Sequence, residues 1–149
     1  MLNKLKSLFG DSSPNDMTLD QLADQLQENA NPLAKHMRTA RDSDANKTQL
    51  SRIIGVERWG QARLKVFLGE DLAEDTAADH RPLAHLDWDM LTAQWWAARK
   101  DTIKLAREIV AAKIDDAQTV PHPDQGDLTA RAWLHYLDAN AKKEVKRIR

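Results

Sequence analysis

The chain has 149 residues, of which 42% are hydrophobic and 30% are charged, and this size favours one domain over two. Its 22 lysine and arginine residues nearly balance its 23 acidic residues, so the formal net charge of −1 gives no overall field that attracts nucleic acid. The absence of cysteine excludes disulfide bonds, a thiol nucleophile and thiolate zinc sites.

The N-terminal segment carries no recognisable export signal. Residues 1–10 lack the apolar core and cleavage site of a secretory signal, and no stretch approaches about 18 consecutive apolar residues. We therefore predict a cytoplasmic protein without a membrane partner, folded as one domain over residues 1–149 with residues 1–16 as an extension. In that extension, residues 2–9 place four apolar side chains at helical spacing, which permits either a packed helix, which we favour, or one that touches a membrane surface.

Four principal helices follow in chain order. Thr18 and Gln21 have the spacing of a capping box, which predicts the start of the first helix. The pair Asn31-Pro32 predicts that the first helix ends and begins again at this point, since asparagine caps helices and proline suits their first turn. The predicted helices span residues 18–41 with this interruption, about 45–69, about 87–113, and 129–149.

The segments between the later helices are predicted to be loops. Residues 70–86 are acidic and interrupted by proline, which indicates a long crossing loop, with or without one short helical turn, that frees the direction of the next helix. Residues 114–128 contain two prolines and a glycine, and no segment alternates in the manner of a strand. We therefore predict an all-α fold of four helices in a bundle.

The third helix carries two apolar stripes rather than one. Trp96 lies on the second stripe with Ile103 and Val110 at seven-residue spacing. A helix with two stripes contacts two neighbours, or one neighbour and a partner chain. Trp96 is therefore a candidate anchor of a dimer interface, and cover by the N-terminal segment explains it nearly as well.

Acidic and amide residues interrupt the faces that should be apolar. Asn140 and Glu144 share one side of the last helix with Trp133 and Leu137, and Glu57 lies inside the stripe of the second helix. A carboxylate on the core side of a helix needs a partner. These polar positions are where we expect the functional site.

Two segments carry a resemblance to a known family: RIIGVERWG at residues 52–60, and VPHPDQGDLTARAWLHYLDANAKKEVKRIR at residues 120–149. They resemble the DinB-like (DinB/YfiT) superfamily, in which H-I-x-x-x-E and HP-x-x-G-x-L-T-x-x-x-W-L segments recur. The resemblance implies an up-up-down-down four-helix bundle with a long crossover loop, usually dimeric. It also implies a site between the second and fourth helices, which in many members holds a divalent metal through three histidines.

The three family ligand positions fall at Arg52, Asn140 and Glu144 in this chain. An arginine is a permanent cation that repels a metal ion, and the five histidines form no HxxxH pair. We therefore predict no metal and no cofactor, and expect an ion pair between Arg52 and Glu144, with Asn140 adding a hydrogen bond. For Glu57 we expect either a partner at Arg147 or Lys143, or a side chain that reaches solvent.

Two further features have alternative interpretations. His122, between two prolines, either borders the family pocket or caps a backbone group in a rigid loop, and we favour the cap. The C-terminal sequence KKEVKRIR contains five basic residues. We favour the interpretation that they complement the helix dipole, and the alternative is that they bind an anionic ligand or nucleic acid.

The sequence therefore favours a metal-free DinB-like protein that acts as a homodimeric binding or structural module, whose pocket holds at most a small organic ligand. The alternative is a metal- or thiol-dependent transferase or hydrolase-type enzyme, because members with known chemistry include thiol-dependent S-transferases and a mycothiol-dependent isomerase. A nucleic-acid-associated role rests only on the family's name and the basic tail.

Overall fold

A computed structural model describes residues 16–149, so the predicted helix at residues 2–9 lies outside the described residues. The described part of the chain is mostly helical and contains four α-helices, one 3-10 helix and one two-stranded sheet. The elements are α1 (Leu19–Thr39), α2 (Asp44–Phe67), the 3-10 helix (Ala77–His80), α3 (Trp88–Ala112), β1 (Thr119–His122), β2 (Gly126–Thr129) and α4 (Ala130–Val145). The prediction of four principal helices is confirmed.

Local capping sets the helix starts. The hydroxyl of Thr18 accepts a hydrogen bond from the backbone of Gln21 at 3.1 Å, and the Gln21 side chain accepts one from the backbone of Thr18 at 2.9 Å. The predicted capping box is therefore present. The predicted stop at Asn31-Pro32 is wrong, because α1 continues through Pro32. Proline removes one helical hydrogen bond, but buried residues on both sides of it, such as Ala30 and Ala34, hold α1 against the core.

A β-hairpin occupies much of the segment that was predicted to be a loop. β1 and β2 pair antiparallel, with Thr119 opposite Thr129 and His122 opposite Gly126. Four-residue strands are too short to show alternation, and Pro121 lowers the strand signal further. β1 contacts α2 and β2 contacts α4, so the hairpin covers one end of this helix pair.

The helices run in two pairs of opposite direction. α3 and α4 each pack against both α1 and α2. α1 and α4 run parallel, because residue numbers increase together in their contacts Asn29–Asp138 and His36–Ile148. α2 and α3 are parallel for the same reason, as Arg58–Gln94 and Gln61–Thr102 show. α2 and α4 are antiparallel, because Asn46 meets Arg149 whereas Gln49 meets Glu144.

The predicted up-up-down-down order is therefore wrong, since α1 and α4 run one way and α2 and α3 the other. The four-residue link at residues 40–43 turns the chain back at once. The long segment between α2 and α3 then returns the chain, so that α3 runs parallel to α2.

Tryptophan dominates the buried core. Trp88 and Trp95 lie in an apolar cluster near the α1–α2 link, and Trp59 and Trp133 lie in a second cluster toward the hairpin. Trp96 is half-buried at the edge of the first cluster, and the Lys100 ammonium lies 5.6 Å from its ring centroid. Its predicted role in a dimer interface stays a prediction. Within residues 16–149, no helix combines the length and apolar character that a membrane crossing requires.

Candidate functional site

A buried ionic network joins all four helices at the centre of the fold. Arg99 on α3 is fully buried and donates from Nε and Nη2 to both oxygens of Glu57 on α2, at 3.0 and 3.1 Å. Its Nη1 donates to Asp138 on α4 at 3.1 Å and to the carbonyl of Leu26 on α1 at 3.4 Å. The planar guanidinium suits this forked pairing, which a lysine does not reproduce.

Every carboxylate oxygen of the network has a donor. Thr102 donates to Glu57 at 2.7 Å, and Asn29 donates to the second oxygen of Asp138 at 2.7 Å. Burial disfavours the charged form of Arg99, but attraction to Glu57 and Asp138 outweighs it and raises the pKa of Arg99 above its ordinary value. The hydrogen bonds of the network are therefore satisfied internally, which suits a structural role.

Both predictions for Glu57 are wrong. Its partner is Arg99, neither Arg147 nor Lys143, and it is only 2% exposed. Glu57 lies in the middle of α2 and faces Arg99 on α3, whereas the C-terminal end of α4 lies near the N-terminus of α2. Arg99 and Asp138 were not predicted, because each is a charged residue next to an apolar stripe that was defined by its hydrophobic members. The signal was the spacing of Arg99, four residues after Trp95 and three before Thr102.

His122 lies in the hairpin, away from that network. Its Nδ1 accepts hydrogen bonds from the backbone N–H groups of Asp124 and Gln125, at 3.0 and 3.2 Å. The imidazole packs against the rings of Trp59, Trp133 and Tyr136. The backbone-cap interpretation of His122 agrees with this geometry.

We predict that His122 makes the folded protein sensitive to acid. Burial lowers the pKa of His122 below its ordinary value of 6.5, although the nearby Asp124 carboxylate opposes the shift. Since the unfolded chain binds the proton more readily, the free energy of unfolding should fall as pH drops below 6.5 toward the folded-state pKa. Urea unfolding between about pH 5 and about pH 8 measures this dependence.

The matched control is His122→Asn, whose side-chain oxygen also accepts backbone hydrogen bonds but does not titrate. Its unfolding free energy should change less with pH than that of the wild type. Identical pH profiles for the two proteins would contradict the prediction.

Arg52, Asn140 and Glu144 line one surface groove between α2 and α4, with a volume of about 260 Å³. The predicted ion pair between Arg52 and Glu144 is nevertheless wrong. Glu144 accepts a hydrogen bond from Gln49 at 2.8 Å and lies 3.6 Å from Nη1 of Arg147. Gln49 occupies the position on α2 that faces Glu144, and the side chain of Arg52 is exposed to solvent.

Arg81, in the loop before α3, also lines this groove, and sequence periodicity cannot place such a residue. Gly55 on α2 makes room for it, because a Cβ there would lie 2.7 Å from the carbonyl oxygen of Ala77 and 2.9 Å from Cγ of Arg81. An ion pair at 2.7 Å between Arg63 and Asp75 ties the same segment to α2. Burial opposes ionisation of Asp75, but hydrogen bonds from His80 and Arg63 lower its pKa.

The groove carries an excess of positive charge. Of the residues that the structure describes, three arginines line it (Arg52, Arg81 and Arg147), and Glu144 is the one carboxylate. Arg147 is paired with Glu144, whereas neither Arg52 nor Arg81 has a side-chain partner within residues 16–149. Glu57 and His122 do not line this groove. The arrangement therefore brings together Arg52, Asn140 and Glu144 of the predicted residues, and adds Arg81.

No family model, curated protein or solved structure matches this chain. The DinB-like resemblance thus rests on the two sequence segments alone.

The groove does not fit the divalent metal that this resemblance implies. It offers one carboxylate and two amide side chains beside three guanidinium groups, and no imidazole. Zinc, nickel and iron(II) prefer imidazole and carboxylate ligands, and fixed positive charge repels them. No group of three histidine or acidic side chains suited to a metal ion occurs among the described residues. The same guanidinium groups favour an anion.

Proposed function

We propose that the protein is a DinB-like binding module whose four helices close into a bundle and whose α2–α4 groove holds a small organic anion without a metal ion. One observation carries the proposal: among residues 16–149, Arg52 and Arg81 have no ionic partner, and they line the same groove as Asn140 and Glu144. Guanidinium groups bind carboxylates and phosphates through paired, charge-assisted hydrogen bonds.

The rest of the groove supports recognition of a small molecule. Gln49 fixes the Glu144 carboxylate through its hydrogen bond, so the carboxylate is oriented before a ligand arrives. Asn140 adds an amide that both donates and accepts. An anion held by the two arginines can then direct a donor toward Glu144. Guanidinium groups hold charge but supply no nucleophile, so the arrangement supports binding more directly than catalysis.

The homodimer and the cytoplasmic location belong to the same proposal. The dimer follows from the family resemblance and from the half-buried Trp96 on the second stripe of α3.

Calorimetric titration of the full chain with phosphate and with succinate tests the proposed function. The wild type should bind at least one of these anions, and Arg52→Gln together with Arg81→Gln should weaken binding by about tenfold or more. Lys104→Gln on the exposed face of α3 is the matched control and should bind like the wild type.

Failure of the wild type to bind either anion would overturn the proposal, as would unchanged binding by the double arginine variant. Elemental analysis of protein without a histidine tag provides a second test. One transition-metal ion per chain would favour the alternative, a metal-dependent transferase.

A further inference from the structure

A second and larger groove adjoins the α2–α4 groove lined by Arg52, Arg81 and Glu144, which we call the anion groove. It has a volume of about 550 Å³ and lies between the N-terminal half of α2 and the loop that precedes α3. Arg81 lines both grooves, and Arg52 directly follows Ser51, which lines the larger one. A ligand whose anionic group contacts Arg52 and Arg81 therefore has room for a larger body on this side.

The lining of this second groove is rich in hydroxyl and charged groups. Asp44, Thr48 and Ser51 lie three or four residues apart on one face of α2, and Lys47 and His85 add donors beside them. The Asp44 carboxylate accepts hydrogen bonds, the Lys47 ammonium donates them, and the hydroxyls of Thr48 and Ser51 do both, which together is what recognition of alcohol groups needs. The groove therefore suits a polar body better than a hydrocarbon one.

The opposite wall supplies a restricted apolar surface. Leu83 is 81% exposed and stands at the edge of the groove with Leu86 and Leu91. His85, between Leu83 and Leu86, has φ of 66°, a left-handed conformation that is uncommon outside glycine and that recurs at ligand-binding loops. The loop thus contributes Leu83 and Leu86 to the lining of the groove, enough to cover a carbon skeleton of modest size.

We propose that the anion is a phosphate monoester of a polyhydroxy compound, with the phosphate between Arg52 and Arg81 and the hydroxyl-bearing body against Thr48, Ser51 and Asp44. This inference rests on the proposed function. Two guanidinium groups without ionic partners match the double charge of a phosphate monoester better than the single charge of a monocarboxylate. Asp44 accepts from the ligand's hydroxyl groups, and Thr48 and Ser51 donate to them.

Titration of the full chain with three probes tests the inference: glucose 6-phosphate, propyl phosphate and inorganic phosphate. Glucose 6-phosphate should bind about tenfold more tightly than propyl phosphate or inorganic phosphate, because only it fills the second groove with hydroxyl groups. Thr48→Val with Ser51→Ala should remove most of that advantage and leave the binding of inorganic phosphate unchanged. Arg52→Gln should weaken binding of all three phosphate compounds, and Lys104→Gln should weaken none.

The outcomes separate this inference from the proposed function. Equal affinities for glucose 6-phosphate and propyl phosphate would overturn the inference. Binding of succinate without binding of any phosphate compound would also overturn it. Either result would leave the anion site of the proposed function in place. Tighter binding of glucose 6-phosphate that survives Thr48→Val with Ser51→Ala would also overturn it. Failure of phosphate compounds and succinate alike to bind would overturn both.

Discussion

Replacement of Arg99 by methionine should lower the free energy of unfolding by about 3–5 kcal/mol. Glu57 and Asp138 are 2% and 4% exposed, and Arg99 is the cation that both contact. Without it, two carboxylates remain buried and uncompensated. Equilibrium unfolding in urea measures the loss.

A triple variant separates the loss of the cation from the loss of packing. Arg99→Met combined with Glu57→Leu and Asp138→Leu removes every charge of the network while it keeps the site filled. Apolar replacement of a whole buried ionic network is often neutral or stabilising, so the triple variant should recover most of the stability lost in the single variant. An Arg99→Met protein as stable as the wild type would contradict this account of the network.

Replacement of Gly60 by alanine should destabilise the protein by about 1–3 kcal/mol, opposite in sign to the usual effect of this change within a helix. A Cβ at Gly60 would overlap the terminal carbons of the Leu137 side chain. Leu137 is buried in the cluster toward the hairpin and has little room to move. Gly60 thus permits the close approach of α2 and α4 on which the position of the anion groove depends.

Truncation of the Leu137 side chain should reverse the sign of the effect of Gly60→Ala on stability. In a Leu137→Ala background the overlap disappears, so Gly60→Ala should then stabilise the protein by about 0.5–1 kcal/mol through its better helix propensity. Urea unfolding of the four proteins in this cycle gives both values. The same effect of Gly60→Ala in both backgrounds would show that Leu137 does not limit the approach of the helices.

The sequence predicts features that depend on neighbouring residues better than those that depend on packing. The capping box of Thr18 and Gln21 is confirmed because it involves contacts within one turn. The continuation of α1 through Pro32 was not predictable in this way, since buried contacts outweigh the local effect of proline. The hairpin was missed because its strands are short and because packing against α2 and α4 supports it.

The sequence predicted that acidic residues on apolar faces have partners, but it did not predict which residues are those partners. The position of Glu57 inside an apolar stripe indicated either a partner or a side chain that reaches solvent, and its pairing with Arg99 depends on which helices adjoin and in which direction they run. Similarly, Asn140, Glu144 and Arg52 share a groove, yet Gln49 rather than Arg52 is the residue that meets Glu144. Arg81 reaches this groove from a loop whose path is set by the close contact at Gly55.

Nuclear magnetic resonance of the arginine side chains tests the anion site most directly. In protein labelled with ¹⁵N-arginine, the Nε–H signals of Arg52 and Arg81 should shift and saturate as phosphate is added, while the signal of Arg38, exposed on α1 outside the groove, stays in place. Arg52→Gln and Arg81→Gln assign the two signals. Shifts of equal size at all three arginines, or none at Arg52 and Arg81, would contradict a specific anion site between α2 and α4.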